Sequence, residues 1–137
     1  MRRGALLPLW LLLVWGISWF SCAPSEEAKV REVLEARRLG LEKKDIGLYM
    51  ASISARYGQE PGAVERLRRQ AMQMMQGCDS IQMRVTDRRI WIRGDRAEAL
   101  QAYEIRIRRA GQVRVVEGRE RIGLEREAGG WKITSGL

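Results

Sequence analysis

The chain has 137 residues, enough for one domain with a single hydrophobic core. It carries 25 Lys and Arg against 17 Asp and Glu, a formal net charge of +8, and it has no histidine. Without histidine the commonest general base and the commonest zinc ligand are missing, and two cysteines alone cannot build a structural zinc site, so we predict no metal and no cofactor.

The first residues have the composition of an export signal. Arg2 and Arg3 form a positively charged start, and residues 5–20 are nearly all apolar. A charged start, a short apolar core and a small-residue site are typical of a secretory signal peptide. We therefore predict a signal peptide over residues 1–21. The uncharged core is close to the shortest transmembrane helix, so a retained N-terminal anchor is the alternative.

The end of this segment resembles the lipobox of bacterial lipoproteins, in which the cysteine is lipidated and becomes the first mature residue. The resemblance rests on Ser21 and Cys22, followed by Ala23. It implies a lipid anchor on Cys22, with acyl chains such as palmitate, and a short tether over residues 22–25. Several acyl chains on one cysteine give stable membrane anchoring. Because Ala23 is not an aspartate, the expected location is the bacterial cell envelope, at the periplasmic side of the outer membrane.

Lipidation of Cys22 would leave Cys78 without a partner in an oxidising compartment. We predict that Cys78 is a buried, unpaired thiol. A Cys22–Cys78 disulfide is the alternative, and it requires that lipidation fails.

The excess of basic residues belongs to the domain, because the chain without residues 1–21 still has a formal charge of +6. A basic surface can attract nucleic acid or anionic lipid. An exported protein rarely meets nucleic acid, and no aromatic platform alternates with the arginines. We predict a solvated, arginine-rich sheet face and no nucleic-acid partner, with weak attraction to an anionic membrane as the alternative.

Three helices are predicted before residue 80. Ser25 is the expected N-cap of the first helix, which extends to about Lys43 and carries Arg37 on its apolar stripe. Arg37 either extends along the helix towards solvent or points into a cavity. A second, shorter helix begins after Asp45 and carries Leu48, Tyr49 and Ile53. The third runs from about Ala63 to Gln76, with one side formed by Val64, Leu67, Ala71, Met74 and Cys78.

Four runs rich in β-branched and aromatic residues follow, joined by short glycine-containing turns, which is typical of an antiparallel meander. Alternation of apolar and polar residues predicts that one sheet face is covered. The alternation changes phase near Thr86–Arg88, where we predict a bulge, and near Glu117–Gly118. The runs cover residues 80–93, 95–109, 112–126 and 131–134.

The order of these elements resembles the nuclear transport factor 2-like superfamily, the cone fold shared with ketosteroid isomerase-like and polyketide cyclase-like proteins. The resemblance covers about residues 26–137. It implies an α+β fold with three N-terminal helices packed on a strongly bent antiparallel β-sheet. The segments that carry it are Lys-Lys-Asp-Ile-Gly-Leu at 43–48, Gly-Asp-Arg-Ala-Glu-Ala at 94–99, Glu-Arg-Ile-Gly-Leu-Glu-Arg-Glu at 120–127 and Gly-Trp-Lys-Ile at 130–133.

The resemblance also implies a pocket between the concave sheet face and the helices. Its expected lining residues are Tyr49, Trp91, Gln101, Tyr103 and Trp131.

Catalysis in the isomerases of this superfamily uses a buried carboxylate with tyrosine or acid partners. Their helix-one tyrosine falls near Arg37 here, and the second strand has no Asp at an inward position. Glu117 and Glu120 lie near the expected bend and face either way. We therefore identify no catalytic residue and predict binding rather than catalysis.

The sequence thus favours an exported, lipid-anchored, non-catalytic domain that binds a small apolar ligand or a protein partner at the cell envelope. A homodimer through the open sheet face is one form of such a partner. The alternative is an enzyme of ketosteroid isomerase or polyketide cyclase type that uses a pocket carboxylate.

Overall fold

The computed structural model describes residues 22–137, which form three helices followed by a four-stranded antiparallel sheet. The predicted signal peptide, residues 1–21, lies outside the described residues. Every predicted helix and strand is present. The elements are α1 (Glu26–Glu42), α2 (Ile46–Ala51), α3 (Ala63–Gln76), β1 (Ser80–Arg93), β2 (Arg96–Arg109), β3 (Gln112–Glu127) and β4 (Gly130–Ser135). The bounds of α1, α3 and the four strands lie within one residue of those predicted, whereas α2 ends two residues before the predicted Ile53.

The first two helices begin at the predicted caps. The Ser25 hydroxyl accepts a hydrogen bond from the Ala28 N–H at 3.1 Å, and the Asp45 carboxylate accepts one from Leu48 N–H at 2.9 Å. Ile53, which the sequence pattern assigns to the second helix, lies beyond the end of α2 and forms an isolated parallel bridge with Ile133 of β4.

The strand order in the sheet is β1-β2-β3-β4. The predicted bulge in β1 is confirmed, since the register with β2 shifts between Val85 and Asp87. The shift predicted near Glu117–Gly118 is wrong, because β2 and β3 pair without interruption. The shift on β3 lies at Gly123/Leu124 and concerns β4.

The core lies between α1 and the inner sheet face, where α1 contributes Val30, Leu34 and Leu41 and β3 contributes Ile122 and Leu124. Burial of these apolar side chains is the main stabilising contribution of the helix layer. No helix within residues 22–137 is both long enough and apolar enough to cross a membrane.

Tyr57 holds the C-terminus in place. Its hydroxyl donates to the Leu137 carbonyl and accepts from the Leu137 N–H, both at 2.8 Å.

The two cysteines are both free. Cys78 is buried, as predicted, and its thiol donates to the Met74 carbonyl at 2.8 Å, whereas Cys22 is exposed. The two cysteines therefore form no disulfide in this structure.

Candidate functional site

An ion pair between α1 and β3 lies in the space where the resemblance implies a pocket. The Arg37 guanidinium donates two hydrogen bonds to the Glu120 carboxylate, at 2.8 Å and 3.2 Å. Only 10% of the Arg37 side chain and 11% of the Glu120 side chain are exposed. Arg37 is buried because it shares the helix face of Leu34 and Leu41. Glu120 faces inwards because it lies two positions before the buried Ile122 on β3, and residues two apart on a strand share one face.

The ion pair continues across the sheet through Gln101 and Arg88, which are direct cross-strand neighbours. The Gln101 amide donates to Glu120 at 2.6 Å, and Arg88 Nε donates to the Gln101 side-chain oxygen at 2.7 Å. Arg88 also donates to Glu35 on α1 at 2.9 Å. We call the five residues Arg37, Glu120, Gln101, Arg88 and Glu35 the inner polar network. It joins three strands to α1.

The network holds Arg37 and Glu35 in their charged forms. Burial acts to lower the pKa of Arg37, but the hydrogen bonds and charge of Glu120 outweigh burial and raise that pKa above its usual value. Burial acts to raise the pKa of Glu35, and hydrogen bonds from Arg38 and Arg88 outweigh it, so this pKa lies below its usual value. If Arg37 were neutral, the charge of Glu120 would be left without its partner, and if Glu35 were neutral, the charge of Arg88 would be.

The Glu120 carboxylate is already engaged at both oxygens. Oε1 accepts hydrogen bonds from Arg37 and Gln101, and Oε2 accepts a second bond from Arg37. A general base needs a lone pair directed at the proton that it removes. Oε1 has no unused lone pair and Oε2 keeps one, so three of the four acceptor positions of Glu120 are already used in ordering the interior.

Two buried nitrogen atoms of the network have no hydrogen-bond partner within residues 22–137: Arg37 Nε and Arg88 Nη2. Buried donors of this kind are commonly satisfied by an internal water molecule. These two unpaired donors make the space between α1 and the sheet more polar.

The predicted pocket residues do not form one lining. Tyr49 is buried, with its ring centre 5.9 Å from Arg37 Cζ, and Gln101 belongs to the inner polar network. The half-buried Tyr103 lies over Gly118, where a Cβ atom would sit 2.5 Å from the tyrosine oxygen. Trp131 is buried elsewhere, at the start of α1, where its indole N–H donates to Glu26 at 2.8 Å.

The placement of Trp91 in the pocket is wrong. Trp91 is 44% exposed and alternates with Ile90 and Ile92, which pack against the core. After the bulge in β1 the inward positions are even-numbered, so Trp91 faces away from the helices. Glu120, Arg88 and Glu35 are the network members that sequence reasoning did not assign. For Glu120 and Arg88 the signal was the inward phase of β3 and β1, which depends on where each register shift lies.

Five open surface hollows of about 330 to 830 Å³ occur on the described part of the chain, and no residue of the inner polar network lines any of these five. Residues 22–137 contain no group of three or more Cys, Asp or Glu side chains placed to hold a metal ion.

Comparison with known proteins gives the fold but no close relative. No family model matches the chain, and no curated protein matches it in sequence. A provisionally assigned dehydratase of the NTF2-like family from Streptomyces avermitilis superposes with a TM-score of 0.70 at 15% identity, covering 81% of this chain and 93% of its own.

Two further solved structures are similar. An NTF2-like superfamily protein from Salmonella enterica gives a TM-score of 0.71 at 15% identity, covering 80% of this chain and 87% of its own. A provisionally assigned ketosteroid isomerase from Shewanella frigidimarina gives 0.63 at 17% identity, covering 82% and 95%. At these identities the likeness concerns the fold alone. The chain has the nuclear transport factor 2-like fold.

Proposed function

We propose that this chain is a non-catalytic domain, anchored to the bacterial cell envelope by lipid on Cys22, that binds a protein partner. The observation that carries the proposal is the bidentate ion pair between Arg37 and Glu120. The pair engages Glu120, which faces inwards from β3 in the region where related folds carry a pocket. An acid whose two oxygens both accept hydrogen bonds from a buried arginine is better suited to a structural role than to catalysis.

The same network favours a protein partner over a small apolar ligand. An apolar ligand between α1 and the sheet would have to displace or desolvate charged side chains, which costs several kcal/mol per ion. The bulge in β1 supports the cone-shaped bend that we propose for the sheet, with the network inside the bend.

The position of Cys22 supports the anchor. Cys22 is exposed, and only residues 23–25 separate it from the start of α1 at Glu26. Three residues span at most about 10 Å, so a lipid on Cys22 would hold the N-terminal end of α1 next to the membrane surface.

Mass spectrometry of the mature protein tests the anchor. The expected N-terminal residue is a Cys22 that carries acyl chains, and Cys22→Ala should release the protein from the membrane fraction. The matched control is Cys78→Ala, which should leave the protein in that fraction. An unmodified Cys22 in the mature chain contradicts the anchor.

An enzyme that uses Glu120 as a base is the second candidate, because Glu120 faces the interior and two structural neighbours carry provisional enzyme assignments. The formation of a conjugated enone from a β,γ-unsaturated ketosteroid, followed by absorbance, tests it. We expect the same rate for the protein and for buffer. A rate that Glu120→Gln abolishes supports the enzyme and contradicts the proposal.

A further inference from the structure

Part of β3 has no strand on one side. Strand β3 runs over Gln112–Glu127, but β4 pairs with it only along residues 123–127. Closer to the hairpin, a side chain at Gly136 would collide with the Arg121 carbonyl, so the C-terminal residues cover the edge there. Within residues 22–137 the edge formed by residues 112–118 pairs with no strand. We call it the free β3 edge.

The hairpin geometry identifies which backbone groups point outwards. The β2–β3 turn consists of Ala110 and Gly111, both with positive φ, between the paired Arg109 and Gln112. Such a two-residue turn closes on a hydrogen-bonded pair, and the pairs then alternate along the ladder. The N–H and C=O groups of Val113, Val115 and Glu117 therefore point away from β2, towards the free β3 edge.

Three side chains of this edge are apolar and exposed. Val113 is 50% exposed, Val115 48% and Val116 38%. A hollow of about 570 Å³ lies beside Val113, lined in part by Met74 and Ile107. An exposed β-prone edge with unpaired backbone groups is a template for the addition of a further strand.

The surroundings of the edge are strongly basic. Residues 105–119 contain five arginines and one glutamate, a formal charge of +4. Arg108, Arg109 and Arg114 form no ion pair within residues 22–137, whereas Arg106 pairs with Glu104 and Arg121 with Glu98. The unpaired positive charge is complementary to an acidic partner.

The edge also lies at the end of the domain away from Cys22. The far end of α1 contacts the start of β1, where Glu42 accepts from the Met83 N–H at 2.8 Å, and β1 begins opposite Arg108. The 17 residues of α1 span about 25 Å, so a lipid on Cys22 would leave this end directed away from the membrane.

We propose that the free β3 edge is a docking site for an extended acidic segment of a protein partner, which adds to the sheet as a fifth strand. This inference rests on the proposed function and names the surface that carries it. Backbone hydrogen bonds to Val113, Val115 and Glu117 hold the segment, valine contacts fix its register, and the surrounding arginines select acidic side chains. A second copy of this chain would bring two ends of charge +4 together, which disfavours self-pairing.

The probe is an eight-residue synthetic peptide that alternates glutamate and valine, with a lysine–valine peptide of the same length as its control. Binding to the full mature chain in detergent is followed by fluorescence anisotropy. We expect the glutamate peptide to bind and the lysine peptide not to bind. The affinity should fall as salt rises, because the attraction is electrostatic.

A proline variant separates backbone pairing from side-chain contact. Val115→Pro removes an outward N–H and should weaken binding about tenfold, whereas Val115→Ala keeps that N–H and should weaken it about threefold or less. Amide exchange of the unmutated chain is the second measurement: the peptide should protect the amides of Val113, Val115 and Glu117. This readout stands even where Val115→Pro fails to fold.

Three results overturn the inference: equal binding of both peptides, no added protection at Val113, Val115 and Glu117, or formation of a dimer through this edge in place of peptide binding. These results are distinct from failure of the proposed function. An unmodified Cys22 or turnover that depends on Glu120 removes the proposed function and leaves the peptide result unchanged.

Discussion

Arg37 and Glu120 lie 83 positions apart in the sequence and form a bidentate ion pair that is nearly excluded from solvent. The pair connects the first helix to the third strand, and Gln101 and Arg88 extend it across the sheet. Because both carboxylate oxygens accept hydrogen bonds, we propose a structural role for Glu120.

The first prediction concerns the energy of this pair. Arg37→Met or Glu120→Gln alone leaves a buried charge without its partner, and each should lower the free energy of unfolding by about 3–5 kcal/mol. The double variant should lose less than the sum of the two, with a coupling of about 2 kcal/mol or more. Urea unfolding of all four proteins measures the cycle.

The control pair for this cycle is Arg31–Glu27 on the same helix, where both side chains are about half exposed. The matching cycle with Arg31→Met and Glu27→Gln should show changes below about 1 kcal/mol. Equal coupling in the two cycles would contradict the structural role of the buried pair.

The second prediction concerns the contribution of Glu35 to the stability of the fold at low pH. The folded-state pKa of Glu35 lies below its usual value of about 4.3. The stability that ionised Glu35 contributes is therefore complete above the unfolded-state pKa, and it is lost as the pH falls through the lower folded-state pKa. The stability difference between the unmutated chain and Glu35→Gln should be constant above about pH 5 and shrink below about pH 4.

Chemical unfolding between pH 7 and pH 3 measures this difference. Glu32, on the same helix, forms no ion pair within residues 22–137, so Glu32→Gln should follow the unmutated chain. A Glu35→Gln difference that grows on acidification would show that the ion pairs of Glu35 do not stabilise the fold.

The third prediction concerns the contact between α1 and α2. A Cβ atom at Gly40 would lie 2.5 Å from the backbone nitrogen of Tyr49, which cannot move independently of α2. Gly→Ala within a helix is ordinarily stabilising, but here Gly40→Ala should destabilise by about 1–3 kcal/mol. Thermal unfolding tests the sign, with Gly129→Ala as the control because its Cβ would meet no atom within 4 Å. A stabilising Gly40→Ala would refute the close approach.

The fourth prediction concerns the C-terminus. Tyr57→Phe removes both hydrogen bonds to Leu137 and should lower the free energy of unfolding by about 1–3 kcal/mol. Tyr103→Phe is the matched control, because the Tyr103 hydroxyl forms no hydrogen bond within residues 22–137, and its effect should be close to zero. The amide exchange of Leu137 should become faster in Tyr57→Phe only. Equal effects of the two variants would argue against this role of Tyr57.

Local patterns in the sequence predicted the elements well. Ser25 and Asp45 are caps whose side chains act within three residues, and the glycine turns fix hairpins over similarly short distances, so neighbouring residues carry the information. The bulge near Thr86 was visible because buried apolar residues change phase around it.

The error in β3 has a physical cause. Val113 and Val115 are apolar but exposed, so the hydrophobic pattern at the start of β3 does not report which face meets the core. The inward direction of Glu120 depends on that phase, and its pairing with Arg37 depends on how α1 lies across the sheet. The ion pair therefore required tertiary placement, although direction into a cavity was one of the two alternatives that the apolar stripe left for Arg37.

We propose that the function of this domain resides on its surface and not in its interior. The decisive experiment places a photo-crosslinking amino acid at Val113 in living cells. We expect a discrete protein adduct that persists in the folded Arg37→Met/Glu120→Gln double variant and disappears with Val115→Pro. An adduct that survives Val115→Pro but is lost with the interior double variant, while that variant remains folded, would show that the function depends on the interior.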